Sequence, residues 1–285
     1  MSAIVPTSAP LHREIPHGRR IVARTAGHTQ GPITRLMSPG DLGERLKPFV
    51  FLDRFAFEGA NAPVMATHPH SGIATHTTLL EGAFDYEDST GKSGRLNPGS
   101  VEYMQAGGGV WHGGRVAATR VRGFQLWIAL PPALELAPAE SHYVDVSAVP
   151  DDGRVRVLLG TYGGRSSPLP APAAMTYLHV TLRDGEAWRY QPPVGHHVAW
   201  LAPSLGAVRV DGETVSRELA IFEEGEAPID LVAVGETELV LGSAARHPHA
   251  LVTGSYSVHT SEEALRRGEA GYRRVAAEVR RAAGR

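Results

Sequence analysis

Thr67-His68-Pro69-His70-Ser71-Gly72, answered further along by Ala106-Gly107-Gly108-Gly109-Val110-Trp111-His112, is the pair of segments that decides how this chain is read. Alternate side chains of an extended strand share a face, so His68 and His70 stand on one side and Pro69 on the other. Between the pair and His112 lie the apolar segment Thr77-Thr78-Leu79-Leu80-Glu81-Gly82 and the turn Asn97-Pro98-Gly99-Ser100, so a third imidazole can return on a later strand. Imidazole nitrogen binds zinc, copper, iron and nickel alike. Three neutral imidazoles converging inside a barrel leave positions open for water, dioxygen or substrate. Taken alone, a His-x-His pair is a weak signal, and two surface histidines stiffened by Pro69 are the plainer alternative. Its setting, strand then turn then strand then histidine, is what favours a metal site.

That order is the one a cupin barrel needs. The stretch also resembles the N-terminal half of the pirin family. The matching pieces are Phe51-Leu52-Asp53-Arg54-Phe55, His68-Pro69-His70-x-Gly72, Leu79-Leu80-Glu81-Gly82, Asp88-Ser89-x-Gly91, Asn97-Pro98-Gly99, Met104-x-Ala106-Gly107-x-Gly109-x-x-His112 and Gln125-Leu126-Trp127. They run in order over residues 33–130, and a fainter trace continues through Gly254-Ser255-Tyr256-Ser257-Val258-x-Thr260-x-Glu262-Glu263.

The bulk numbers agree with a soluble β protein. At 285 residues the chain can hold two domains, and its 32 glycines and 21 prolines point to turns rather than long helices. A net charge of −2 shows no basic surplus of the kind that phosphate binding needs, so direct nucleic-acid binding is not expected. With no cysteine, disulfides and thiolate ligation are excluded, and any metal must rest on His, Asp or Glu. Met1 to Arg20 lacks the unbroken apolar core of a signal peptide, and no run approaches the ~20 apolar residues of a membrane helix. A cytoplasmic protein without a membrane segment is the expectation.

Taken in order, residues 1–20 read as a loose arm and Arg20-Ile21-Val22-Ala23-Arg24-Thr25 as a strand. Asp41 suits the N-cap of a short turn, and Pro48 to Phe57 is a mostly apolar strand. After the segments already quoted, Val121 to Leu130 is an apolar strand stopped by Pro131-Pro132, and residues 131–150 form a connector. A second β-rich half follows, with strand-like runs from Val155 to Gly242 and turn signals between them, the pattern of a sandwich or barrel. Only Ser261 to Ala283 reads as helical, with Gly268 and Gly271 predicting a break or kink. The fold expected is all-β: a bicupin of two tandem cupin β-barrels (double-stranded β-helices) with a C-terminal helix. Its segments would be 1–140, carrying the metal site, and 141–285.

The second half does not repeat the histidine pattern. His196 and His197 are neighbours and would point to opposite sides of a strand. His247-Pro248-His249 copies the spacing but has no later strand to supply a third ligand. Trp111 and Trp127 read as core or pocket wall, Tyr103 as a pocket-lining residue, and Arg273, Arg274, Arg280 and Arg281 as a solvated helix face. Glycines 107–109 suit a strand turn and not a phosphate loop.

The resemblance implies a divalent transition metal on His68, His70 and His112, iron ahead of zinc, nickel, copper or manganese. Pirins usually add a glutamate two residues after the third histidine, where this chain has Gly114, and carry another after the histidine pair, where it has Ala74. Losing both is expected to leave a divalent ion at +2 and its site weakly or partly filled. On that expectation Gly114→Glu should tighten binding. His76 is the candidate fourth ligand, although six extended residues separate it from His70 by roughly 20 Å unless the chain bends at Ser71-Gly72. The activity implied is cleavage of flavonols such as quercetin with O2. The alternative is a non-catalytic pirin-type regulatory protein, with metal or without, that binds a protein partner.

Overall fold

The computed structural model describes residues 18–59 and 64–283. The first seventeen residues of the expected arm lie outside them. Short β-branched and aromatic runs punctuated by Gly and Pro produce strands almost throughout. A seven-stranded sheet runs in the order Glu140–Val144, Val101–Gln105, Ile73–Glu81, Arg120–Ala129, Phe49–Glu58, Ile33–Met37, His28–Gln30. A four-stranded sheet, Val64–His70, Val110–Val116, Phe84–Asp88, Ser93–Leu96, lies against it and closes the N-terminal barrel. The C-terminal barrel is built on an eight-stranded sheet whose longest members are Val198–Val210 and Ile229–Ala244. The architecture is all-β, a bicupin with a C-terminal helix.

Strand alternation explains where each side chain goes. Along Phe49–Glu58, Phe51, Asp53, Phe55 and Phe57 line the first barrel's interior while Leu52 joins the core between barrels. Along Ile73–Glu81, Thr77 and Leu79 point inward while Ala74 and His76 point to the second barrel. Along Val101–Gln105, Glu102 is inward while Val101 and Tyr103 enter the inter-barrel core, so Tyr103 does not line the pocket as the sequence suggested. From the other side come Leu158, Tyr177, Trp200 and Ile221, with Phe49 edge-on to Trp200 at 5.5 Å.

We propose 1–140 and 141–285 as the chain order of the two barrels; in space the first and last described elements cross over. Ile21–Thr25 pairs antiparallel with Leu219–Phe222 in the C-terminal barrel. The hairpin Val252–Gly254/Ser257–His259 and the helix Glu262–Ala283 return to the N-terminal barrel, where the helix packs on Val110–Val116. Gly268 and Gly271 do not break that helix, which is continuous. They permit close approach: a Cβ at Gly268 would lie 2.3 Å from His259 Nε2, and one at Gly271 1.8 Å from the Gly108 carbonyl oxygen.

Candidate metal centre

Register brings the three histidines together. Val110–Val116 pairs antiparallel with Val64–His70 so that His112 stands opposite His68 and Val110 opposite His70. His68 and His70 share a face by alternation, and His112 joins that face from the next strand. Ligand atoms of the three lie within 4.8 Å of one another, and they are the one such group of His, Cys, Asp or Glu among the described residues. His70 and His112 are buried and His68 half-buried. The second-half histidines do not assemble in this way. His196 is buried against Ser243 Oγ, His197 is exposed, and His247 and His249 sit beside Lys47.

Each imidazole is held by its rear nitrogen. His68 Nδ1 lies 2.9 Å from the Ala66 carbonyl oxygen, and His70 Nδ1 lies 3.0 Å from that of Tyr256. His112 Nδ1 lies 3.3 Å from Glu102 Oε1. Carbonyls and carboxylates accept only, so each Nδ1 carries the proton and each Nε2 is left a bare lone pair. His68 Nε2 and His112 Nε2 then face each other at 3.1 Å as two acceptors, a contact that repels unless a cation lies between them. This donor set fits a d-block ion, which takes neutral imidazole at about 2.0–2.1 Å. Burial, and the charge His112 can carry, lower the pKa of His68; the same causes together with His68 put His70 well below its ordinary value. Both are therefore neutral, the ligating form, at neutral pH.

The cluster forms the floor of a cavity of about 280 Å³. Its walls are apolar and aromatic: Phe55, Phe57 and Phe84, with Phe51 stacked on Trp127 at 4.1 Å. Trp127 also meets His70 edge-on at 4.9 Å, and the Arg35 guanidinium covers the other side of the Phe51 ring at 3.9 Å. Trp111, by contrast, points out and donates to the Tyr272 carbonyl of the C-terminal helix at 2.7 Å.

Three expectations about further ligands change. His76 has zero exposure and lies between the barrels, its ring 5.1 Å from Tyr177 and its Nε2 3.4 Å from the Leu158 carbonyl oxygen. The left-handed turn at Gly72 (φ 73°) ends one strand and begins another in a different sheet, so parity counted from His70 does not carry to His76. Ala74 faces the inter-barrel core, where no side chain could reach the cluster. A Cβ at Gly114 would meet the Asp85 carbonyl oxygen at 2.1 Å and the Phe84 ring at 2.7 Å, so Gly114→Glu does not restore a ligand on this backbone.

Sequence reasoning missed Glu102. It is 3% exposed and lines the cavity. Burial pushes its pKa up, but the hydrogen bond and charge of His112 and the hydrogen bond from Thr77 outweigh that and hold it below the ordinary carboxylate value. The visible signal is a lone charge in the middle of Val-Glu-Tyr-Met-Gln, an otherwise uncharged run.

Two cupin barrels, one carrying a histidine cluster under an aromatic cavity, define a bicupin able to hold a metal ion. Comparison with known proteins narrows this. The pirin family model matches residues 32–128. A pirin-like protein of Caulobacter vibrioides is 31% identical over 211 residues, covering 68% of this chain and 73% of the relative. A putative quercetin 2,3-dioxygenase of Pseudomonas aeruginosa is 31% identical over 250 residues, 81% of this chain and 87% of the relative. Among solved structures, a quercetin 2,3-dioxygenase from Acinetobacter baumannii superposes with a TM-score of 0.81 at 22% identity, over 90% of this chain and 97% of that one. The chain belongs to the pirin family. Among its described residues no helix is long and apolar enough to cross a membrane.

Proposed function

We propose that this pirin is a metal-dependent dioxygenase for small planar aromatic substrates of the flavonol type, with His68, His70 and His112 holding a divalent transition metal, iron first. The observation that carries the reading is the convergence of three bare Nε2 atoms on the floor of an aromatic cavity. A bound metal would supply Lewis-acid chemistry toward substrate oxygens and redox chemistry toward O2. The chain's own part is reception. At about 280 Å³ the cavity is at the small end for ligand sites, which suits a flat ring system and little solvent. The stacked Phe51–Trp127 pair presents its edges, and Phe55, Phe57 and Phe84 complete an apolar lining for such a ring, while Arg35, ion-paired with Asp53, covers the other side of Phe51. The likeness to a putative quercetin 2,3-dioxygenase supports the same substrate class. A second reading, a non-catalytic pirin that binds metal and engages a protein partner, draws support from the ligand group, which contains no carboxylate.

Elemental analysis of untagged protein, followed by O2 uptake with quercetin, tests the proposal. We expect one equivalent of metal and metal-dependent uptake. Changing His68, His70 or His112 to Ala should lower metal affinity about a thousandfold, beyond the 10–100-fold typical of groups behind a ligand. His247→Ala should change nothing. Metal without uptake favours the second reading, and metal that follows His247 overturns the site.

A further inference from the structure

We propose that Glu102 is the anionic group of this metal centre, placed behind His112 as a positioning residue and not on the ion. The proposal rests on the metal reading above. A buried carboxylate costs several kcal/mol unless it is paired and hydrogen-bonded. Both oxygens of Glu102 are engaged: Oε1 faces His112 Nδ1 at 3.3 Å and Oε2 takes the Thr77 hydroxyl at 2.5 Å. Thr77 Oγ1 also lies 3.1 Å from Gln125 Oε1, while the buried Gln125 Nε2 lacks a partner. A hydroxyl has one proton and cannot donate to both. Turning the Gln125 amide resolves both problems: Gln125 donates to Thr77, Thr77 donates to Glu102, and Glu102 accepts from His112. The donors converge on Glu102 from both sides, and its Oε1, left free to accept, fixes the proton on His112 Nδ1.

The consequence is electrostatic. Three neutral imidazoles leave a divalent ion uncompensated, and the positions where a carboxylate was expected, 74 and 114, cannot deliver one. Glu102 supplies one negative charge through the imidazole, raising the basicity of His112 Nε2 without occupying a coordination position. More positions on the ion then stay open to substrate and O2 than in a site with a ligating carboxylate.

Glu102→Gln removes the charge with almost no change in shape. Metal-free parent and variant are titrated with nickel(II) and with zinc(II), and the His112 ring nitrogens are observed by 15N NMR in the metal-free forms. We expect 10–100-fold weaker binding of both ions, the range for a carboxylate behind a ligand, with an unchanged melting temperature of the metal-free form. The parent should show a single Nδ1–H tautomer at His112, and the variant a mixture. Unchanged affinity in a parent that does bind metal overturns the role of Glu102 alone, as does an Nε2–H tautomer in the parent. A loss above about a thousandfold, beyond that outer range, would make Glu102 a ligand and overturn the positioning role. No binding by the parent removes the metal reading itself, and this proposal with it.

Discussion

The two barrels share a scaffold but treat their interiors differently. In the C-terminal barrel Leu178, Leu201, Val208, Trp188, Tyr190 and Phe222 meet in one apolar cluster. In the N-terminal barrel the inward positions include Thr77, Glu102, Gln125 and the three histidines around a cavity. The scaffold does not require a polar interior on this scale, since the second copy is mostly apolar and keeps only a small hydrogen-bonded group, Tyr190, Ser243 and His196. An interior that keeps buried polar groups at a cost in stability is best explained by what it binds.

A matched pair of truncations tests that difference at its largest. Leu201 has no exposure inside the filled barrel, whereas Leu79, 1% exposed, borders the cavity. Leu201→Ala removes contacts on every side and should cost about 4 kcal/mol, high in the usual Leu→Ala range. Leu79→Ala already has open space on one side and should cost about 2 kcal/mol. Urea denaturation of the metal-free proteins measures both. Equal costs would mean that the two interiors are packed alike.

Acid sharpens the comparison at the seam between barrels. Burial lowers the His76 pKa to about 4. An unfolded His titrates near 6.5, so the unfolded state takes up the proton first. Stability is therefore full above about pH 6.5, falls as the pH drops toward about 4, and levels off below that, with about 3 kcal/mol attributable to His76. Other buried histidines contribute too, so the measurement is the difference between the pH–stability curves of parent and His76→Leu. Parallel curves from pH 7 to 4 would show that His76 is not the buried neutral group described.

What could be read locally was read from the sequence. Alternation within Thr67–Gly72 and a return strand at Val110–His112 put three histidines within reach, and turn spacing indicated two β halves. What escaped depends on register between distant segments. Glu102 joins the site because its strand lies beside Ile73–Glu81, and its partners are Thr77 and His112. The side on which His76, the possible fourth ligand, lies could not be counted from His70, because a single turn at Gly72 resets parity. Gly268 and Gly271 imitate helix breakers, but their reason lies across space in His259 and Gly108.

The smallest effect we expect separates backbone from side chain where the C-terminal segment crosses to the first barrel. Tyr256 is a non-glycine residue in the left-handed region, φ 60°, and half-exposed. Its carbonyl oxygen accepts from His70 Nδ1, while its ring lines the cavity 5.7 Å from that of His68. Strain of this kind costs on the order of 1–3 kcal/mol and persists where the surroundings enforce it. Here two residues do so: Ser71 bonds both Ser257 and His259, and Glu135 holds His259 and Thr260. Tyr256→Gly keeps the carbonyl, relieves the strain and removes the ring. Nickel(II) affinity should stay within about threefold, because the hydrogen bond that orients His70 is a backbone one, and a shift that small is under 1 kcal/mol. Metal-free stability should hold or rise by up to about 1 kcal/mol, since glycine adopts this φ freely. Quercetin binding, followed by fluorescence, should weaken about tenfold through loss of one aromatic wall, an amount near 1.4 kcal/mol. A drop in nickel affinity as deep as that from removing a histidine would show that the ring, and not the carbonyl, holds the centre together. Unchanged quercetin binding would place the substrate elsewhere.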